Sequence, residues 1–177
     1  MKLYVVRHGR TDNNDKNVFN GRYDEDINQT GIEQAKIARD KLLNYKIDLI
    51  ISSPMKRTIH TAQIININNI DMITDKHFIE RDVGELTLKS VDSKDSKEYW
   101  KYTDSKYKGL ETISEIQKRV FEGLDNIKNK YKDKNVLIVT HAAVTRMIKI
   151  YFENLPINEE IYKIKSQENC EIKEYEL

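Results

Sequence analysis

The 177-residue chain has only two prolines and one cysteine. The lone cysteine, Cys170, excludes an intrachain disulfide and points to a reducing compartment, so a cytoplasmic protein is expected. Long apolar runs are missing too. No segment approaches the roughly 20 apolar residues of a membrane span. The first apolar stretch reaches Arg7 too soon for the core of a signal peptide, about 7–15 residues. Neither sign of charge is in excess: 30 basic and 29 acidic residues leave a formal net charge of +1. That gives no case for bulk attraction to nucleic acid or to a membrane surface. Arginine is scarce, at 8 of the 30 basic residues, the other 22 being lysine. Where lysine is the default cation, an arginine marks a need for its planar, forked donors. This directs attention to Arg7, Arg10, Arg22, Arg57, Arg81, Arg119 and Arg146.

What is present alternates in type. Leu3–Val6 reads as a buried strand, followed by a loop over residues 10–27. Asn28 or Thr30 can cap a helix from about Gly31 to Asn44, with Ile32, Ala35, Ala38, Leu42 and Leu43 on one face. Leu49–Ile51 is a second strand. Ser52-Ser53-Pro54 then reads as a cap and first helical residue, with a helix running through Thr61, Ala62 and Ile65. Residues 70–79 hold a third strand. The segment 84–108 is rich in Lys, Asp and Ser yet contains Tyr99, Trp100, Tyr102 and Tyr107. Helical spacing returns from Thr112 to about Tyr131. Val136–Val139 is the clearest buried strand, followed by Thr140-His141 and a helix to about Tyr151. The alternation over residues 171–175 favours an edge strand. The expected fold is α/β: one domain over residues 1–177, a central, mostly parallel sheet with helices on both faces, and a small cap from about 84 to 108.

In parallel sheets ligands bind beyond the carboxyl ends of the strands. Three such ends matter here: Arg7-His8, Ser52 to Arg57, and His141. Two guanidiniums, two imidazoles and two helix N-termini then converge on one rim, an arrangement suited to a dianionic phosphoryl group. An imidazole held neutral by neighbouring cations can attack phosphorus, and fixed cations stabilise the equatorial oxygens. The leaving oxygen needs a proton, for which Glu80 is the best-placed carboxylate, with Asp82, Glu85 and Glu111 as competitors. His8 and His141 have no third ligand at metal spacing, so no metal and no cofactor is expected. His60 and His77 read as surface or packing residues, and Thr61-Ala62 as helix packing. Tyr99, Trp100 and Tyr102 read as a small core under the cap, or else as a wall facing the substrate.

These residues resemble the histidine phosphatase superfamily with its phosphoglycerate mutase-like enzymes. The likeness begins at Arg7-His8-Gly9 and continues through Asn14 and Phe19-Asn20-Gly21-Arg22-Tyr23-Asp24. It resumes at Thr30 to Ala35, at Ser52-Ser53-Pro54…Arg57…Thr61-Ala62 and at Glu80…Gly84. It ends with Val139-Thr140-His141 and Arg146. The resemblance implies that His8 is the nucleophile that becomes phosphorylated. Arg7, Arg57 and His141 would surround the phosphoryl group, Asn14 would donate to it, and Gly21 and Ala142 would lie against it. Glu80 would protonate the leaving group, and the substrate would be a small phosphorylated metabolite. Three departures stand out. Arg10 replaces the family's usual Glu. Ala142-Ala143 follows the second histidine in place of Gly, where a left-handed backbone would cost alanine about 1 kcal/mol. Gly84-Glu85-Leu86-Thr87 replaces Gly-x-Trp-Glu-Gly. Residues 84–108 hold lysines but no arginine, which favours a phosphatase over a bisphosphoglycerate-dependent mutase. A non-catalytic phospho-ligand binder is the alternative from another class. Oligomeric state and the identity of the substrate are not written in the sequence.

Overall fold

A computed structural model of the chain describes residues 1–157 and 161–176. Its strands are β1 (Lys2–Arg7), β2 (Leu49–Ser52), β3 (Met72–Thr74), β4 (Val136–Thr140) and β5 (Ile172–Glu176). They form one sheet in the order β3-β2-β4-β1-β5. Every pairing is parallel except that of β5 with β1. This is the α/β architecture expected from the sequence. β4 lies at the centre and is buried along its whole length, whereas β5 is the antiparallel edge that the alternation at 171–175 indicates.

The helices are α1 (Asp12–Asp15), α2 (Gln29–Leu42), α3 (Lys56–Ile65), α4 (Ser96–Tyr99), α5 (Ile113–Lys130) and α6 (Ala142–Glu153). Alternate strand residues face opposite sides of the sheet. Leu3, Val5, Ile51, Val136 and Ile138 pack against α5 and α6, while Tyr4, Val6, Ile50, Leu137 and Val139 pack against α2 and α3. A third, smaller cluster of Phe19, Val83, Leu86, Tyr99 and Leu110 covers the carboxyl edge of the sheet.

Local chemistry sets the helix starts. Asn28, not Thr30, caps α2 by accepting from the Gly31 N–H. Thr112 and Glu115 form a reciprocal capping box at α5. The expectation for α3 needs correction: Pro54 is not its first residue. The helix begins at Lys56 with Met55 as a cap that makes no side-chain bond, because Ser53 is engaged elsewhere. The segment read as one loop over 10–27 contains the short helix α1, closed by a Thr11–Asn14 capping box. The third strand is limited to Met72–Thr74 within the 70–79 window.

Candidate active site

Register brings three strand ends level. Arg7 on β1 lies opposite Thr140, and Ser52 on β2 opposite Val139. One more ladder bond on each side, His8 N–H to the Thr140 carbonyl at 2.9 Å and Ser53 N–H to the Val139 carbonyl at 3.0 Å, sets His8, Ser53 and His141 side by side. The rings of His8 and His141 have centroids 5.2 Å apart, and both residues are buried.

His8 Nδ1 lies 2.7 Å from the Gly9 carbonyl oxygen. A carbonyl can only accept, so Nδ1 carries the proton and Nε2 keeps its lone pair. The turn at Gly9 is fixed by contact with α2: a Cβ there would stand 2.5 Å from the Gly31 carbonyl oxygen. The Gly9 N–H donates to Thr61 Oγ1 at 3.0 Å, and that hydroxyl donates to the Arg57 carbonyl at 2.6 Å. Thr61 therefore does more than pack its helix; it ties His8's neighbour to α3.

Arg57 is fully buried. Its Nη1 donates to the Tyr23 carbonyl at 2.8 Å, Nη2 to the Gly21 carbonyl at 2.7 Å, and Nε to His141 Nδ1 at 3.2 Å. Since a guanidinium only donates, His141 carries its proton on Nε2, which lies 2.7 Å from Ser53 Oγ. Gly21 has φ +48°, and a Cβ on it would stand 2.5 Å from Val83 Cγ2. Its place in the site is thus as a carbonyl that orients Arg57. Arg7 Nη1 donates to the Gln167 carbonyl at 3.0 Å, and its buried Nε has no partner among the described residues. Asn14 Oδ1 accepts from the Thr11 N–H at 3.2 Å and from Asn169 Nδ2 at 3.4 Å. Its Nδ2 has no acceptor among the described residues. Ala142 opens α6 and does not adopt a positive φ, so the left-handed cost considered for alanine does not arise.

Burial is the main reason both imidazoles have pKa values well below 6.5, with Arg57 and Arg7 adding to the effect on each. Both are neutral at pH 7. Burial likewise lowers Arg7 and Arg57 from their usual range, opposed chiefly by the carboxylate of Glu80. Glu80 therefore stands where its charge reaches both guanidiniums. It makes no ion pair with Arg81: its Oε1 accepts from the Arg81 backbone N–H at 2.8 Å. Its own carbonyl accepts from Arg22 Nε at 3.1 Å. Glu111 clamps the segment carrying Glu80. It receives Arg119 Nε at 2.6 Å and Nη2 at 2.9 Å, the Asp82 N–H at 3.1 Å and Arg22 Nη2 at 3.3 Å.

A model of the histidine phosphatase superfamily, branch 1, matches residues 3–177. The chain belongs to this superfamily. With relatives named as phosphatases, it is a hydrolase of phosphate monoesters. It is 30% identical over 179 residues to an uncharacterized phosphatase, PhoE, of Bacillus subtilis (strain 168), covering 91% of each chain. It is 32% identical over 167 residues to a putative phosphoserine phosphatase 2 of Hydrogenobacter thermophilus, covering 87% of this chain and 82% of the relative. The solved structure of Bacillus stearothermophilus YhfR superposes with a TM-score of 0.88 at 22% identity, covering 99% of this chain and 91% of the other. The last similarity concerns the fold.

Within this histidine phosphatase the structure gathers Arg7, His8, Arg57 and His141 on one floor, with Asn14 and Glu80 at its edge. Four contributors lay outside the sequence expectations. Ser53, read as a helix cap, partners His141. Gln167 and Asn169 come from the carboxyl-terminal segment: Gln167 holds Arg7, and Asn169 Nδ2 donates to the His8 carbonyl at 2.9 Å. Arg22 anchors the backbone of Glu80. Ser53 and Arg22 had a sequence signal, since each lies inside a recognised stretch, and Gln167 and Asn169 had none. His60 and His77 sit beside Asp26 and Asp75, away from this floor. No helix among the described residues is long and apolar enough to cross a membrane.

Proposed function

We propose that this enzyme hydrolyses small phosphomonoesters through a phosphohistidine on His8. The observation carrying this reading is the 2.7 Å bond from His8 Nδ1–H to the Gly9 carbonyl, which leaves Nε2 as a neutral nucleophile among cations. Arg7 Nε, the remaining Arg57 donors and Asn14 Nδ2 supply hydrogen bonds to the phosphoryl oxygens. Nε2 attacks phosphorus, the P–O bond to the alcohol breaks, and Glu80 gives its proton to the departing oxygen. Glu80 then removes a proton from water, which attacks phosphorus, breaks the N–P bond and releases phosphate. His141 stays neutral, its proton orientation set by Arg57.

Guanidiniums supply here the positive charge that a metal supplies in other phosphatases. With that charge supplied by Arg7 and Arg57, turnover should survive exhaustive chelation. The chain reads as a single domain with a cap over about residues 84–108, and the small cluster around Tyr99 supports a compact leaving-group site suited to metabolites. A cytoplasmic location is consistent with the lone cysteine.

The test is His8→Ala. The purified variant should fold and lose all but a trace of turnover. Wild-type protein quenched during turnover should carry an acid-labile, base-stable phosphoryl label. A folded variant retaining more than a few percent of the activity would remove His8 from this role.

A further inference from the structure

The segment 167–170 runs beside the nucleophile strand from the far end of the chain. It extends the antiparallel pairing of β5 with β1, which ends at Val6 opposite Ile172. Gln167 Nε2 donates to the Val5 carbonyl at 3.0 Å, the Cys170 N–H to the Arg7 carbonyl at 2.9 Å, and Asn169 Nδ2 to the His8 carbonyl at 2.9 Å. One segment therefore binds the carbonyls of Val5, Arg7 and His8. Gln167 and Cys170 prolong the edge of the sheet. Asn169 does something more.

Its Nδ2 has a second acceptor, Asn14 Oδ1 at 3.4 Å. An amide nitrogen carries two hydrogens, so both bonds can form at once. The two oxygens share one donor and lie no further apart than the two bonds laid end to end, 6.3 Å. Chemistry fixes which amide atom is which. The His8 carbonyl only accepts, so Asn169 turns its nitrogen to it. The Thr11 N–H only donates, so the Asn14 atom it meets at 3.2 Å is oxygen.

Asn14 sits in the single turn of α1 and is partly accessible. The terminal torsion of a side-chain amide is a broad, roughly two-fold rotor. A half-turn would exchange its oxygen and nitrogen. With Thr11 as the only donor, that flip would strand one N–H. With Asn169 present it would set Asn14 Nδ2 against two donors. Two donors on Oδ1 therefore leave Nδ2 as the free end of the amide.

We propose that Asn169 is a positioning residue for phosphoryl transfer: anchored on the His8 carbonyl, it fixes the Asn14 amide with its N–H donors free for the phosphoryl group. Asn169 acts through Asn14 and touches no reacting atom. The inference rests on the phosphohistidine reading above, in which Asn14 donates to the phosphoryl oxygens, and adds a residue to it.

A double-mutant cycle tests it on the full chain with p-nitrophenyl phosphate, whose good leaving group makes the rate report attack on phosphorus. Asn14→Ala, Asn169→Ala and the double variant are compared with wild type. Asn169→Ala should lower kcat by about tenfold, with KM changed by less than about threefold, because a misaimed donor is missed mainly in the transition state. It should weaken inhibition by vanadate by a similar factor. In the Asn14→Ala background the same substitution should cost no more than about twofold, since residues that act as a unit are not additive. A kcat within twofold of wild type in Asn169→Ala overturns the inference. So does a cost that is equal in both backgrounds, which is what a support for the His8 strand alone would give, or a loss confined to KM. An Asn14→Ala variant with wild-type turnover overturns it as well. Circular dichroism and urea unfolding check that each variant folds. If Asn169→Ala does not fold, Asn169→Ser carries the same cycle with the same criteria, because its hydroxyl has one hydrogen and cannot serve two acceptors. His8→Ala separates the two levels. Costs that multiply in an enzyme that still depends on His8 remove the role of Asn169 alone; turnover that persists in His8→Ala removes the phosphohistidine reading and this role with it.

Discussion

Two arginine clusters flank Glu80 and are built on opposite rules. On the floor, Arg7 and Arg57 donate to the carbonyls of Gln167, Tyr23 and Gly21. In the clamp, Arg119 and Arg22 donate to the carboxylate of Glu111. A carbonyl satisfies an N–H without cancelling the charge behind it, so the floor keeps its positive field for an incoming anion. A carboxylate cancels the charge and turns the arginine into a strut. Leaving buried cations uncompensated is costly, and it is worthwhile only where a ligand completes the pairing. The clamp has no such cost and serves to hold the Glu80 segment still.

The comparison can be broken at either end, and the largest effect is expected on the floor. Arg57→Met should lower kcat/KM by about 10³-fold, since fixed donors of this kind contribute about 10²–10³ each. It should also weaken competitive inhibition by vanadate. Activity within tenfold of wild type would mean that the uncancelled charge is not used.

Between the clusters, Glu80→Gln should slow hydrolysis of an alkyl phosphate by about 10²-fold or more. Its loss on p-nitrophenyl phosphate should be much smaller, because that leaving group departs as a stable anion. Equal losses on both esters would reduce Glu80 to a residue that shapes the pocket, and a substrate-dependent loss in Asp82→Asn or Glu85→Gln instead would relocate the acid.

In the clamp the effect should fall on stability. Glu111 and Arg119 are 10% and 17% exposed in their side chains, so removing one charge strands the other. Glu111→Gln should cost about 3 kcal/mol, measured by urea unfolding. An unchanged unfolding midpoint would show that the clamp carries no energetic weight.

Acidification sharpens the contrast further, because the floor also holds two neutral histidines. Unfolded imidazoles take up protons near pH 6.5 that folded His8 and His141 refuse. The unfolded state then binds more protons, so stability rises with pH. This contribution is complete above 6.5 and is lost as pH falls below it toward the folded values. The urea midpoint should therefore drop between about pH 7.5 and about pH 5. The drop should be shallower in His8→Asn; equal slopes would show that other groups govern the acid limb.

The smallest effect belongs to the outer surface. Arg39 pairs with Asp40 at 2.8 Å in solvent, and Arg39→Gln should leave both the unfolding midpoint and turnover within experimental error.

Much of this molecule was legible in one dimension because the relevant signals are local. Leu3–Val6 and Val136–Val139 are apolar runs bounded by polar residues, and their ends delivered Arg7, His8 and His141 without reference to the rest of the chain. Asn28 and Thr112 announce helices through bonds only three residues long. Pro54 misled for the same reason. Its Ser-Ser-Pro context looks like a helix start, but Ser53 Oγ is committed to His141, 88 residues away.

The sequence by itself determined the α/β class and singled out Arg7, His8, Arg57 and His141 at the carboxyl ends of the strands, because strand periodicity and short motifs depend on neighbours in the chain. Only the tertiary structure decided how those groups are held. The proton on His8 Nδ1 is set by the turn that Gly9 makes against Gly31. The proton on His141 Nε2 is set by Arg57. Gln167 and Asn169 reach Arg7 and His8 from the opposite end of the chain. Whether an arginine of the floor or the clamp meets a carbonyl or a carboxylate is likewise a property of the packed rim, since its partners lie from 8 to 160 residues away. That choice separates the cations that bind from the cations that brace.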